Sequence, residues 1–522
     1  MSTSQKNVHR IIVWLRRELR INDNLALWTA VQDAREVIPV YILNPEAARR
    51  NPGKHRMIAE GLGVLRQKLR VAGGELIIRT GDPAAVFAEL IRETDAAGVY
   101  STLQYHPDVR RSDEKLRVFL EAEGKMWRQF NDLVVFSPDQ IMPAGGDKPY
   151  TIFTPYRNAW RRRKGEIPPP LPRIQHMRTP VLDPGRIPLP AKPPSGIEQL
   201  RVVHTGEDEG ATAIKKFIAG GISAYHRQRD LLAIDGTSRF SHHLAIGAIS
   251  PRTLYAALHE AERTFRGLQR EGLDAFLDQI IWREFYYQIL AHFPHVLNSS
   301  FKPAFDELAW TEREDWYLAW CEGRTGYPIV DAAMRQLNKE GWMHNRGRMI
   351  TASFLTKDMR IHWKRGEEYF TSRLLDSDIA LNNGGWQWCA GSGTDAQPWF
   401  RIFNPVVQGK KFDASGAYVR YYVPELARVP DQYIHEPWNM PIEIQRRTGC
   451  VIGKQYPFPV VNHEEQRRMT IKSFGALRNR QTVSVPTAVS FFQRDHHPVS
   501  LTGKKTERSP LRSEKPNHSS RV

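Results

Sequence analysis

Residues 381–405 read LNNGGWQWCAGSGTDAQPWFRIFNP, and the rest of the chain is organised around them. The stretch is richer in Trp, Gly and Asn than an ordinary core helix and more apolar than a loop. Asn382 and Asn383 precede Gly384 and Gly385, whose missing Cβ lets backbone approach a ligand closely. Trp386 and Trp388 supply flat, oxidisable surface on which a planar group can stack. The pattern points to a planar, polar-edged ligand; a buried aromatic core around a tight turn is the alternative reading.

The surrounding chain has 522 residues, 41% of them hydrophobic, enough for a sizeable core and two or more domains, which excludes a disordered protein. A formal charge of +17 favours an anionic partner. Nucleic acid comes first, because Lys and Arg displace condensed counterions, and a merely solvated basic surface is the other reading. Cys321, Cys389 and Cys450 are odd in number and scattered, which argues against a disulfide framework or a zinc site and fits a reducing compartment. No stretch approaches the ~18 apolar residues of a membrane span, and MSTSQKNVHR does not lead into a signal segment. The protein is expected to be soluble, cytoplasmic, monomeric and without a membrane partner.

From the N-terminus, IIVWL, VIPVYIL, ELIIRTGD, GVYSTLQY and LVVF are short β-rich runs separated by helix-compatible sequence. They predict a doubly wound parallel α/β sheet over residues 8–140. Arg16, Glu18, Asn44, Asp82 and Tyr105 then lie near the crevice at the strands' carboxyl ends. No GxGxxG follows the first strand, so a classical dinucleotide site is not expected there. A proline-rich connector is expected over residues 141–205, with prolines from Pro168 to Pro194. Its RRRK run, Arg161 to Lys164, either reaches phosphate or ends a helix in solvent. An all-α domain is expected over 206–472. In it Pro328 opens a helix, Ile329, Val330, Ala333, Met334 and Leu337 form its apolar face, and Gly341 ends it. Residues 473–522 are polar and basic, and a disordered tail is expected there.

GTSRFS, residues 236–241, places hydroxyls, an Arg and backbone amides before an apolar run, which suits either a phosphate cradle or a plain helix cap. Asp376, Ser377, Asp378 and Asn382 lie on one stretch, and Asn345, Arg346 and Arg348 on another.

Three segments carry a resemblance: the opening stretch, TGYPIVDAAMRQLNKEGWMHNRGRMITASFL at 325–355, and IIWREFYY at 280–287. They resemble the flavin-binding half of the photolyase/cryptochrome family, closest to class I cyclobutane pyrimidine dimer photolyases. VWLRRELRINDNLAL at 13–27 is similar to the family's opening, and the resemblance runs from about Arg10 to about Lys472. It implies an N-terminal light-harvesting domain, FAD in the helical domain, damaged DNA as partner, and dimer repair by an electron from light-excited reduced FAD.

By the same resemblance, Tyr225, Thr237, Ser238, Arg239 and Ser241 hold the FAD diphosphate. Asn345 also belongs to the cofactor set, Asn382 faces flavin N5, Asp376 pairs with Arg348 beside the ring, and Asp378 hydrogen-bonds its polar edge. Asp376 and Arg348 also read as a structural ion pair. An Asn at N5 cannot donate a proton as a carboxylic acid can, which favours the anionic, fully reduced flavin. Trp386, Trp363 and Trp310 match the family's electron relay, although each taken alone reads as core packing. Trp282 and Trp388 match the walls of a pocket for a flipped lesion, with Gln279, Asn345 and Met349. Arg229, Arg283 and Arg346 reach flanking phosphates or form internal ion pairs.

Three residues before Trp282, class I dimer photolyases carry a Glu where this chain has Gln279. The alternatives are a cryptochrome-like blue-light photoreceptor and a (6-4) photoproduct photolyase. The latter group has paired histidines where this chain has WMHN with Asn345. LQYHPDVRRSDEKL, residues 103–116, matches neither the folate nor the deazaflavin pattern, so a second, antenna chromophore stays without an identity.

Overall fold

The structure is a computed structural model that describes residues 8–146, 148–188 and 205–478. Five parallel strands, β1 (Val8–Leu15), β2 (Ala34–Leu43), β3 (Ile77–Thr80), β4 (Gly98–Thr102) and β5 (Met126–Phe130), form one sheet in the order β3-β2-β1-β4-β5. β1 is central, and Ile11, Ile12, Val13 and Leu15 are fully buried in it, as a strand covered on both faces requires.

Four of the five runs read as strands are strands, and LVVF is not. Residues 133–136 are buried where sheet and helices meet. The amides of Val135 and Phe136 donate to the Glu284 carboxylate, and the Leu133 carbonyl accepts from Arg283. With those backbone groups satisfied by side chains, the run has no need of a neighbouring strand, and MWRQF at 126–130 takes the sheet edge instead.

The residues expected at the crevice serve the fold. Asn44 caps the helix Pro45–Arg50, Asp82 caps Pro83–Thr94, Glu18 accepts the amides of Arg16 and Arg17, and Tyr105 donates to Asn131. Arg16 pairs with Asp113 at 2.8 Å and lies 3.6 Å over the Trp14 ring.

The stretch read as connector carries a helix, Phe153–Arg162, because Phe153, Tyr156, Ala159 and Trp160 make one buried face. Its other face accounts for the RRRK run. Arg161 pairs with Asp274 and Asp278, Arg163 with Glu166, and Lys164 with Glu262. Arg161 and Lys164 staple this helix and the turn after it to the helical half, while Arg162 is exposed. The proline-rich part then runs extended along the sheet, exchanging backbone bonds with Val37, Ala72 and Ile78.

The C-terminal half is helical. Helix Pro328–Glu340 buries the predicted face and stops at Gly341, whose φ of +63° is the left-handed cap glycine favours. Its axis is the 26-residue helix Gly267–His292. Helix His463–Arg478 carries the ordered chain past residue 472, and the remainder of the expected tail, 479–522, lies outside the described residues.

Candidate active site

The tryptophan-rich stretch begins as a helix, Ile379–Ala390, against the expectation from its composition. Its unusual residues are explained by what lies on each side. A Cβ on Gly384 would lie 2.1 Å from Cδ1 of Tyr286, so this glycine lets helix Gly267–His292 pack directly against the backbone. A Cβ on Gly385 would meet nothing within 4 Å, so the open side of the helix is there. One turn earlier, the Asn382 amide donates both hydrogens, to the Glu367 carbonyl and Thr371 Oγ1, each at 2.9 Å. Its carbonyl oxygen is left as the available acceptor, in the amide orientation that this network sets.

Asp378 caps this helix through the amides of Ala380 and Leu381, and its other oxygen binds Arg17 and Tyr287. All the acceptor positions of the carboxylate are thereby used inside the protein. In the fold this side chain clamps the sheet to the helices. Burial pushes its carboxyl up, but the Arg17 and Arg283 guanidiniums outweigh burial and hold it well below the usual carboxylate range.

Across from it, Arg348 donates to Asp376 at 2.7 Å and to the Met343 carbonyl at 2.9 Å. Burial pushes the Asp376 carboxyl up, and Arg348 with Ser241 brings it below its ordinary value. His242, next to Ser241, is held neutral by burial, with a pKa lowered to about 4.

In the turn before it, Thr237 Oγ1 is buried without a partner, Ser238 Oγ accepts the Phe240 amide, and Arg239 adopts φ +53°. The Arg239 guanidinium binds Asp235 and lies 4.3 Å over Trp342. The helix that follows, Ser241–Ala245, is five residues long, too short for its dipole to matter, so hydroxyls and Arg239 are the groups that can hold an anion here. Tyr225 is packed against Phe217 and Phe276, and its hydroxyl meets Arg229.

Trp386 is buried on helix Trp363–Arg373: a Cβ on Gly366 would lie 2.1 Å from its Cη2. Trp363, at the start of that helix, is fully buried and stacks on His362 at 5.5 Å, and His362 meets the half-buried Trp310 at 5.1 Å. The indole N–H groups of all three tryptophans are buried without a partner among the described residues. Trp160 and Trp320, by contrast, donate to Glu284 and to the Thr351 carbonyl.

On the outer side, Gln279 and Trp282 stand one turn apart on helix Gly267–His292, and Asn345 meets Met349 at 3.6 Å on helix Asn345–Ser353. Trp282 touches Tyr286 (5.5 Å), which packs on Gly384, one turn before Trp388. Trp282 and Trp388 are both half-buried.

Arg283 corrects another expectation. It is 7% exposed, donates to the Leu133 carbonyl at 2.6 Å and lies over Tyr287, so it cannot reach a phosphate outside the fold. Arg346 pairs with Asp230 at 2.8 Å and covers Phe412, with its Nε unpartnered; Arg229 is half-buried beside Tyr225.

Comparison with known proteins accounts for this arrangement. The family description "DNA photolyase" matches residues 11–175, and "FAD binding domain of DNA photolyase" matches residues 276–476. A deoxyribodipyrimidine photo-lyase from Agrobacterium fabrum is 37% identical over 476 residues, covering 90% of this chain and 98% of the relative. The chain belongs to the DNA photolyase family.

Among solved structures, a bacterial class III photolyase from Agrobacterium tumefaciens is 36% identical with a TM-score of 0.85, covering 91% of this chain and 99% of that one. A cryptochrome from Synechocystis sp. PCC6803 is 27% identical with a TM-score of 0.83, covering 90% of this chain and all of that one.

The photolyase residues present here fit FAD. The partnerless Thr237 hydroxyl, the free Asn382 carbonyl and the open side of Gly385 are places where a ligand's groups would complete the packing. Sequence reading did not find Tyr286, Gly366, Glu367, Thr371 or Phe153. Gly366 carried a usable signal, a glycine inside a helix that otherwise has no reason for one. Among the described residues, no helix is long and apolar enough to cross a membrane and no acidic, His or Cys cluster could hold a metal.

Proposed function

We propose that this photolyase opens cyclobutane pyrimidine dimers in damaged DNA, driven by light. The reading is carried by the chemistry of the lesion face. Gln279, Trp282, Asn345, Met349 and Trp388 contain no group that gains or loses a proton near neutral pH. Reversing a cyclobutane dimer breaks two carbon–carbon bonds and moves no proton, so stacking surface and amide hydrogen bonds suffice. Reversing a (6-4) product moves a heteroatom between bases and requires a proton donor. The imidazole next to Asn345 in the chain, His344, is held neutral by burial, with a pKa lowered to about 4, and its Nδ1 accepts the Arg346 amide.

FAD, when bound, supplies the light-driven electron. Thr237, Ser238 and Arg239 hold its diphosphate, and Ser241 braces Asp376. Arg348 with Asp376 would present a neutral pair to the bound cofactor, and the Asn382 carbonyl, left free by its amide's two bonds, would accept a hydrogen bond from it. Trp386, Trp363 and Trp310 relay electrons inward to restore the reduced cofactor.

Trp282 and Trp388 stack on the flipped lesion, and Arg229 and Arg346 stand beside its flanking phosphates. The protein acts as a cytoplasmic monomer on DNA. A cavity of about 280 Å³ between the ends of β1 and β2 and the helical half, lined by Arg16, Arg17, Tyr41, Arg50, Lys54 and His55, suits a second, anionic chromophore. Its Arg16 pairs with Asp113 of the 103–116 stretch singled out by sequence, at 2.8 Å.

The test is to incubate reduced protein with an oligonucleotide carrying one thymine dimer, in darkness and in blue light. Thymine recovery in light alone is expected. Repair of a (6-4) oligonucleotide instead overturns the substrate, and repair of neither with intact photoreduction returns the photoreceptor reading.

A further inference from the structure

We propose that Phe153 is a positioning residue of the lesion pocket, a backing plate that holds the plane of Trp282 and thereby sets how tightly a damaged base is gripped. The inference rests on the reading of Trp282 as a pocket wall. The two rings are stacked with centroids 3.8 Å apart and planes 9° from parallel, closer than the other ring pairs among the described residues. Phe153 covers one face of the indole, yet Trp282 remains half-buried, so its accessible surface is what a base can meet.

Phe153 itself is fixed. It is 6% exposed and meets the fully buried Phe285 edge-on at 5.9 Å. Its amide donates to Asp395 Oδ2 at 3.0 Å, and Thr394 donates to the carbonyl of Thr151 at 2.5 Å. Asp395 adopts φ +41°, a conformation a non-glycine residue keeps only when its surroundings hold it.

Three residues separate Thr394 and Asp395 from helix Ile379–Ala390, whose end is locked by the amides of Gly391 and Gly393 on the Gln387 carbonyl. One hydrogen-bonded seam therefore ties the support of Trp282 to the helix that carries Trp388. The two walls of the pocket are spaced by the protein before any lesion arrives. A wall already held in its bound orientation loses less side-chain freedom on binding, which lowers the cost of gripping the base.

Phe153→Leu keeps an apolar side chain and removes the stack; Phe153→Tyr keeps the stack. Affinity for dimer-containing and intact duplexes, splitting yield per bound dimer, and the ¹⁹F line of 5-fluorotryptophan at position 282, assigned with Trp282→Phe, are measured on the FAD-loaded chain. Phe153→Leu is expected to weaken dimer binding about 5- to 10-fold and leave intact-duplex affinity unchanged. The yield per bound dimer should change less than about 2-fold, and the Trp282 line should broaden or split. Phe153→Tyr should restore all of these.

An unchanged dimer affinity in Phe153→Leu, or a parallel loss for both duplexes with a sharp Trp282 line, overturns the proposal. If Phe153→Leu does not fold, Phe153→Met carries the same comparison. If the wild type binds both duplexes alike, the pocket reading fails, and the ¹⁹F line separately reports whether Phe153 orders Trp282.

Discussion

The seam that joins sheet to helices and the flavin cradle dispose of their polar groups in opposite ways. In the seam the buried carboxylates are saturated. Asp132 binds Arg20 and Arg252, and Asp23 takes Arg252, Ser250 and the Leu171 amide. Glu284 accepts two backbone amides and the Trp160 indole, and Asp378 binds Arg17, Tyr287 and two helix amides. In the cradle and along the relay, Thr237 Oγ1, His344 Nε2 and the N–H groups of Trp310, Trp363 and Trp386 have no partner among the described residues. A buried polar atom left unmade costs about 1–3 kcal/mol. Groups already satisfied therefore hold the fold, while those left bare mark where a ligand completes the site or where a role other than hydrogen bonding keeps the residue.

The largest expected effect strikes the seam. Asp378→Ala leaves the largely buried Arg17 unpaired and should cost about 3–5 kcal/mol in urea unfolding. The Asp378 carboxyl pKa is depressed in the folded protein. Its contribution is therefore fully present above its unfolded pKa, about 3.9, and is lost as pH falls below that value. The wild type should lose stability over that acid range more steeply than the variant. A cost under about 1 kcal/mol would remove the distinction between seam and cradle.

In the relay, Trp386→Phe keeps an aromatic ring against Gly366. It should slow photoreduction of oxidised FAD by an external reductant at least about 10-fold, equivalent to about 1.4 kcal/mol of barrier. Dimer repair by chemically pre-reduced protein should change less than about 2-fold. Equal loss of both activities would assign Trp386 to flavin binding or packing.

Thr237→Val sharpens the contrast further. Its hydroxyl bonds nothing in the protein, so the thermal midpoint without FAD should hold or rise, while FAD affinity falls about 5-fold, the scale of one hydrogen bond of about 1 kcal/mol. A lowered midpoint without FAD would place Thr237 with the seam.

The smallest effect is on lesion affinity in Gln279→Glu. Gln279 has only a long 3.5 Å bond to the Ala275 carbonyl, so its amide is free to turn toward a lesion carbonyl. A Glu there can respond in charge as an electron arrives, so the splitting yield should rise while dimer affinity shifts by no more than about 1 kcal/mol. A fall in yield on measuring quantum efficiency would show that the amide is the better partner in this pocket.

Much of the fold was legible in one dimension. Short β-branched runs spaced by helical sequence identified β1 to β4, and the 3.6-residue period with Pro328 and Gly341 bounded helix Pro328–Glu340. LVVF was misread because a buried apolar run on a seam and a buried strand have the same composition. What separates them is the destination of the Val135 and Phe136 amides, and that is a carboxylate nearly 150 residues away. The same holds for Arg283 and Asp378. Nothing local to Arg283 says that it faces inward to Leu133, and nothing local to Asp378 says that Arg17, 361 positions earlier, occupies it.

By itself, then, the sequence determined the two architectures, which follow from periodicity, and gathered the tryptophans, asparagines and hydroxyls of the site through the resemblance its motifs carry. Tertiary structure alone decided which of those polar groups are spent on holding the halves together and which are left for flavin and lesion. Hydrogen-bond satisfaction is an accounting between residues hundreds of positions apart, and only the folded chain brings both partners to the same place.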